Sequence, residues 1–368
     1  ALSDSRSRGW LSQVDTPIAR SRHVYRPEVD VLRLGCARPP NVLCWVDMWR
    51  ITGDRPVGRR LRWPVVTLGV FDGVHRGHKA VLAEVVRRAR RRCGEAIAIT
   101  FDRHPRTLLH NACTPLITSL EHRLMLLERL GLDGVWVLPF DERLASVPAA
   151  QFVEHFLIEG LGARCVVLGF NSRFGRGAEG DIELLRRYEG AGRFEVVRGR
   201  AVYYRGQPIS STAIRRAIAE GRLGEARRML GRRVSVLGTV VHGDGRGRAL
   251  GFPTANLDLH HEAAPPAGVY VSRALLKGQW LASVTSIGPR PTFDADTRVA
   301  SVEVHLIDWE GDLYGQNIEV QFLRRLRAQR RFGTEQALSE QIARDVARSR
   351  QLFSRLPEEW ESQPNVSI

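Results

Sequence analysis

Short β-branched strands alternate with amphipathic helices from Pro64 to about Gly231, and the chain then changes texture; no other feature constrains the fold as much. VVTLGV at 65–70 is apolar and β-branched. After it Val81, Leu82, Val85, Val86 and Ala89 recur at helical spacing with arginines between them. AIAITF at 96–101, VWVL at 135–138 and CVVL at 165–168 repeat the buried-strand signature, with helical segments near 120–130 and 149–157. Apolar strands separated by helices predict a parallel sheet covered on both faces. Ligands of such sheets bind beyond the carboxyl ends of the strands, where the strand order reverses. A helix opening near Thr212 closes this half, with Gly221 and Gly224 at its end.

Beyond Gly231 the pattern is of short strands punctuated by Gly and Pro, at 234–241, 268–274, 280–287, 299–307 and 318–323. This predicts a small antiparallel β-barrel, with a last helix carrying Leu338, Ile342, Val346 and Leu352 across it. The expected organisation is a poorly structured extension at 1–62, an α/β domain at 63–222, a barrel domain at 231–357 and a tail at 358–368. Met48 stands shortly before the first strong strand, and translation from it would make residues 1–47 an upstream addition.

Composition narrows the class. At 368 residues, 43% hydrophobic and 26% charged, the chain is neither collagen-like, wholly disordered nor a disulfide scaffold. No apolar run reaches the ~18 residues of a membrane span, and the first residues have no signal-peptide pattern. Five widely spaced cysteines without a C-x-x-C pair fit a reducing cytoplasm. The formal charge of +15 raises nucleic acid as a partner, but it is nearly all Arg, with Lys only at 79 and 277, and is spread over several segments. We therefore expect no nucleic-acid and no membrane partner. An oligomer stays open.

GVFDGVHRGH at 69–78 falls where a strand feeds a helix, a position in which backbone amides and the helix dipole receive phosphate. Gly73 and Gly77 allow close approach, and His75 and His78, three residues apart, can face one pocket. Paired imidazoles there suit nucleotidyl transfer, in which charge grows on departing pyrophosphate. ISSTAIR at 209–215 supplies a second helix start, with hydroxyls of Ser210, Ser211 and Thr212 at the cap and Arg215 one turn in. In isolation it is an ordinary N-cap.

In the second half Gly243, Gly245, Gly247 and Gly251 surround arginines in a loop that suits a backbone cradle for phosphates, without the Gly-Lys-[Ser/Thr] ending of a Walker loop. FPTAN follows at 252–256. Thr254 and Asn256 alternate along an extended segment, so both offer oxygens of the kind Mg²⁺ accepts beside nucleotide phosphates. Glu303, in VEVHL, is either a solvent-facing strand residue or an acceptor for the proton of an attacking hydroxyl.

With these motifs in hand, the chain resembles the HIGH-type nucleotidyltransferases and, more closely, the bacterial bifunctional riboflavin kinase/FMN adenylyltransferases. The likeness rests on GVFDGVHRGH, TFDRHP at 100–105, NSRFGRGAEG at 171–180, ISSTAIR, GTVVHGDGRGRALGFPTANL at 238–257, IGPRPTF at 287–293 and VEVHLIDWEGDLYG at 302–315, and spans about residues 63 to 355. It implies a Rossmann-like nucleotidyltransferase domain followed by an antiparallel β-barrel riboflavin kinase domain with a C-terminal helix. It implies that riboflavin is phosphorylated to FMN by the second domain and FMN adenylylated to FAD by the first, with ATP as co-substrate and Mg²⁺ as cofactor. His75 and His78 would hold ATP phosphates, Ser210, Ser211, Thr212 and Arg215 the triphosphate, and Asn171 would line the site. Thr254 and Asn256 would hold Mg-ATP, and Glu303 would orient the riboflavin hydroxyl. His104 would line the flavin pocket or belong to a rigid turn. Ser172 stands where relatives usually carry an aromatic residue and Ala178 where some carry Arg, so the alternative is an active kinase whose first domain is weak or takes another acceptor. The other rival is a flavin-responsive nucleic-acid binder.

Overall fold

The computed structural model describes residues 48–105, 115–243, 245–289 and 300–355. Its first half is a six-stranded sheet with every neighbouring pair parallel: β1 (Trp49–Thr52), β2 (Val65–Leu68), β3 (Ala96–Phe101), β4 (Gly134–Leu138), β5 (Cys165–Leu168) and β6 (Glu195–Arg198), ordered β1-β4-β3-β2-β5-β6. β2 to β5 are buried along their whole length, which is why they read as unbroken apolar runs. Helix α1 (Arg76–Arg91) buries Val81, Leu82, Val85 and Ala89 against one face. Alternate strand residues Val66, Ile97 and Trp136 meet Phe152 and Leu157 on the other.

The first domain begins earlier than the sequence reading placed it. Residues 49–52, assigned above to the unstructured extension, form β1, with Met48 and Val57 buried beside it. β1 is a four-residue edge strand with one half-exposed face, too short to show a period. Trp49 packs on Gly134, where a Cβ would come within 1.9 Å of its ring. Residues 1–47, the segment that a start at Met48 would leave out, lie outside the described residues, as does the tail at 358–368.

The second half is a closed antiparallel barrel of β7 (Ser235–Val241), β8 (Ala255–Asp258), β9 (Gly268–Leu276), β10 (Gln279–Pro289), β11 (Ala300–Leu306) and β12 (Asn317–Arg327), ordered β8-β11-β10-β9-β12-β7. Inward-facing Val236, Val240, Leu257, Val302, Val304, Ile318 and Val320 fill it. Outside, a C-terminal helix (Glu335–Phe353) lays Val346 and Phe353 on Val269, Val271 and Val284, and its Asp345 pairs with Arg327 at 2.8 Å. Arg325 donates to the Ala267 carbonyl, so these two arginines of β12 brace the barrel. Among the described residues no helix is long and apolar enough to cross a membrane.

A buried polar seam joins the halves. His122, on helix α2 (Leu120–Glu128), has its Nδ1 3.0 Å from Glu262 Oε1 and its Nε2 3.7 Å from Glu319 Oε1, and Arg129 reaches Glu319 at 3.0 Å. Glu262 also accepts the backbone N–H groups of Ser119 and Leu237. Burial opposes a charge on His122, but the two carboxylates prevail and push its pKa up to about 9.

Candidate functional site

The strand order reverses between β2 and β5, because β3 and β4 lie to one side of β2 and β6 lies beyond β5. The turn at 69–75 leaves the carboxyl end of β2, and the loop holding Asn171 leaves the carboxyl end of β5. Two sequence-predicted segments therefore meet at the switch point of the sheet.

Within the turn Phe71, Gly73 and Val74 all have positive φ, at 50°, 79° and 38°. Gly73 is demanded twice, since a Cβ there would also lie 2.9 Å from Ile117. The turn delivers His75 as N-cap of α1, its Nδ1 accepting the His78 backbone N–H at 3.3 Å. The two imidazoles stack with centroids 3.5 Å apart, and Phe71 closes edge-on against His78. Burial, with help from Arg232, lowers the His75 pKa to about 4. Burial, then His75 and Arg123, takes His78 well below its ordinary value. Both rings are neutral near pH 7. With Nδ1 of His75 accepting, its proton sits on Nε2.

Helix α3 (Ser211–Ala219) approaches the turn by its N-terminus. Ser210 caps it by accepting the Ala213 N–H at 3.3 Å, and Ser211 Oγ donates to the Asp72 carbonyl at 3.0 Å. Arg215 donates to Asp72 Oδ2, and its Nη2 lies 3.4 Å from His104 Nε2. Asp72 thus ties the turn that carries His75 and His78 to the start of α3, through its carbonyl to Ser211 and its carboxylate to Arg215, with His104 beside that arginine. Thr212 is exposed on α3, and Asn171 is exposed after β5, entering the site by topology rather than by contact.

Three residues of this site were not read from the sequence. Asp72 lies inside the motif itself, and being its lone carboxylate was the available signal. Arg123 is completely buried among the leucines of α2 and donates from Nη1 to Val70 O, Thr100 Oγ1 and Phe101 O. Arg232 donates to Gly73 O at 2.7 Å across 159 residues of chain, for which a sequence carries no local sign.

The second predicted cluster lies on the barrel. Asn256 in β8 stands directly opposite Glu303 in β11, so their side chains share one face. The Gly-rich loop folds against them: a Cβ on Gly243 would lie 2.0 Å from Asn256 Nδ2, and one on Gly247 would lie 3.0 Å from Thr254 Oγ1. Gly245 and Gly251, at φ +69° and +81°, shape the loop without meeting other side chains. Ser301 Oγ reaches Glu303 Oε1 at 3.5 Å, and His305, two residues along the same face, bonds Pro253 O at 2.8 Å. Among the described residues no group of three or more His, Cys, Asp or Glu could hold a metal ion. IGPRPTF falls only partly in β10, and Arg290 to Phe293 lie outside the described residues.

Known proteins repeat this division. A family model described as FAD synthetase matches residues 59–213, and one described as riboflavin kinase matches 230–353. The bifunctional riboflavin kinase/FMN adenylyltransferase of Escherichia coli strain K12 is 37% identical over 291 residues, covering 78% of this chain and 92% of the relative. That of Bacillus subtilis strain 168 is 34% identical over 296 residues, covering 79% and 93%. A crystal structure titled a macrolide-efflux protein from Streptococcus pneumoniae matches with a TM-score of 0.70 at 32% identity, covering 82% of this chain and 98% of that one.

Proposed function

Because the chain belongs to the bifunctional riboflavin kinase/FMN adenylyltransferases, and so makes FMN from riboflavin and ATP and FAD from FMN and ATP, we propose that each reaction has its own site, the barrel face for the first and the switch-point turn for the second. The observation that carries this is the pair of separate clusters, His75 with His78 and Asn256 with Glu303, one in each matched region.

In the adenylyl transfer an FMN phosphate oxygen attacks the α-phosphorus of ATP and pyrophosphate leaves. Neutral His75 offers an Nε2–H donor held in place by the bond to its Nδ1, and the stacked His78 stands beside it. Donors fixed in a buried turn stabilise the charge that grows on the leaving group. Ser210, Ser211, Thr212 and Arg215, at the start of α3, contribute hydroxyls, free amides and a guanidinium to the triphosphate, and Asn171, in the loop after β5, lines the site.

In the kinase reaction Glu303 accepts the proton of the riboflavin 5′-hydroxyl as its oxygen attacks the γ-phosphorus. Gly243, Gly245, Gly247 and Gly251 let the loop backbone lie against the phosphates. The donor set fits Mg²⁺: the Thr254 hydroxyl and Asn256 amide are hard oxygen ligands, and Gly243 and Gly247 keep Cβ atoms out of their way. Held by Thr254, Asn256 and the phosphates, Mg²⁺ would neutralise charge on the transferred group. We also propose a cytoplasmic location, supported by the free thiol of Cys165 and by the use of ATP.

The test is to incubate the purified protein with riboflavin, ATP and Mg²⁺ and separate the flavins by chromatography. FMN appears first and FAD after it. Accumulation of FMN with no FAD would contradict the assignment to the switch-point turn, and no FMN would contradict that to the barrel.

A further inference from the structure

We propose that Arg232, contributed from the kinase side of the chain, is a positioning residue for adenylyl transfer: its guanidinium grips the Gly73 carbonyl and keeps the 71–75 backbone in the shape that presents His75 and His78 to the nucleotide. This rests on the reading that the switch-point turn is the adenylylation site.

The turn needs holding. Three of the four residues from Phe71 to Val74 have positive φ, two of them bearing a Cβ, and such backbone persists only where its surroundings over-determine it. Gly73 is held on both sides, its N–H donated to Thr118 Oγ1 at 2.9 Å and its carbonyl taken by Arg232 Nη1 at 2.7 Å. Arg123 holds the turn's other end through Val70 O at 2.7 Å, but it also bonds the end of β3. Arg232 is therefore the cleaner probe.

Arg232 is buried at 4% exposure, three residues before β7, within the riboflavin kinase match and outside the FAD synthetase match. Burial lowers its pKa to about 10, opposed chiefly by Glu319 and Glu262 of the interdomain seam, so it stays a cation at neutral pH. Arg129 and Asp72 also act on it, and its own charge is felt by His75 and Lys79. One side chain thus fixes a carbonyl of the turn and places a positive charge behind the imidazole that caps α1.

The experiment uses the full-length protein with R232Q, R232K and, as a reference, H78A, each assayed for riboflavin phosphorylation and FMN adenylylation from about pH 3.5 to 9, so that the range spans the His75 pKa of about 4. R232Q should keep phosphorylation within about twofold and lose about 10–100-fold in kcat for adenylylation, with KM for FMN little changed. The acid limb of its adenylylation profile should move toward neutrality, because the charge that opposes protonation of His75 is gone. R232K should keep the wild-type limb and recover part of the rate. Should R232Q not fold, R232K decides: slower adenylylation at unchanged phosphorylation supports the proposal, and wild-type rates for both overturn it. Adenylylation by folded R232Q within twofold of wild type overturns it, as does a parallel fall of both activities with an unmoved acid limb. If H78A loses adenylylation while R232Q does not, only this inference fails; if H78A retains it, the reading beneath fails.

Discussion

Asp72 receives two hydrogen bonds on one carboxylate oxygen from Arg215, 3.3 Å from Nε and 3.1 Å from Nη2, so the arginine expected to clamp triphosphate is already paired. The other oxygen takes the N–H groups of Ile117 and Thr118 at 2.9 and 3.0 Å. One side chain, 1% exposed, thereby ties the His-x-Gly-His turn to the 117–118 segment and to the start of α3. Arg215 bonds Asp72 through Nε and Nη2 and not through Nη1, so this pair sets the orientation of the guanidinium.

Replacing Asp72 by Asn should therefore act on both stability and adenylylation. Arg215, with 12% of its side chain exposed, would lose its counter-charge, and breaking a buried pair costs about 3–5 kcal/mol. D72N should unfold at lower urea and form FAD at least about tenfold more slowly, while riboflavin phosphorylation persists below the transition. A wild-type midpoint with wild-type FAD formation would contradict the role given to this pair.

Separate sites predict separable losses. H78A should lower FAD formation from FMN about 10²–10³-fold and leave FMN formation intact. E303A should lower FMN formation about 10²–10⁴-fold and leave adenylylation of supplied FMN intact. Chromatography of products with each flavin substrate reads this directly. Loss of both activities in either folded variant would show that the sites are not independent.

What the sequence disclosed follows from how local each cause is. β2, β3, β4 and β5 were legible because burial on both faces leaves unbroken apolar runs. β1 and β6 were not, since half-exposed edge strands of four residues carry too little pattern. His75, His78, Thr254 and Asn256 sit in short motifs whose spacing survives in the fold. Asp72, Arg123 and Arg232 act through partners up to 159 residues away, and a carbonyl partner leaves no trace in side-chain identity. The pairing of Asn256 with Glu303 is likewise a matter of strand register, which is fixed only when the barrel closes.

Gly243 offers a test of the kinase cradle. A methyl group there would overlap the Asn256 amide, at 2.0 Å from Nδ2, and Asn256 is anchored in β8 between β7 and β11. Either the loop or the amide must shift. G243A should lower kcat/KM for riboflavin phosphorylation by about tenfold or more, with FMN adenylylation within twofold of wild type. Unchanged phosphorylation would mean that the loop and Asn256 do not act together.

Stability should depend on pH through three buried histidines, His75 and His78 shifted down and His122 shifted up. His75, lowered to about 4, stays neutral in the folded chain while the unfolded chain takes up its proton near 6.5. Stability therefore falls as pH drops from about 6.5 toward 4, by up to ~1.4 kcal/mol per pH unit for each such group, and His78 adds in the same direction. His122, raised to about 9 between Glu262 and Glu319, does the reverse: its contribution is complete below about 6.5 and is lost as pH rises through 9. Thermal denaturation from pH 5 to 9 should show a maximum near pH 6.5–7.5. H122Q should be less stable at pH 7 and should lose the decline between pH 7 and 9, because no proton then remains to be released. A variant that keeps the alkaline decline would place its origin outside the interdomain seam.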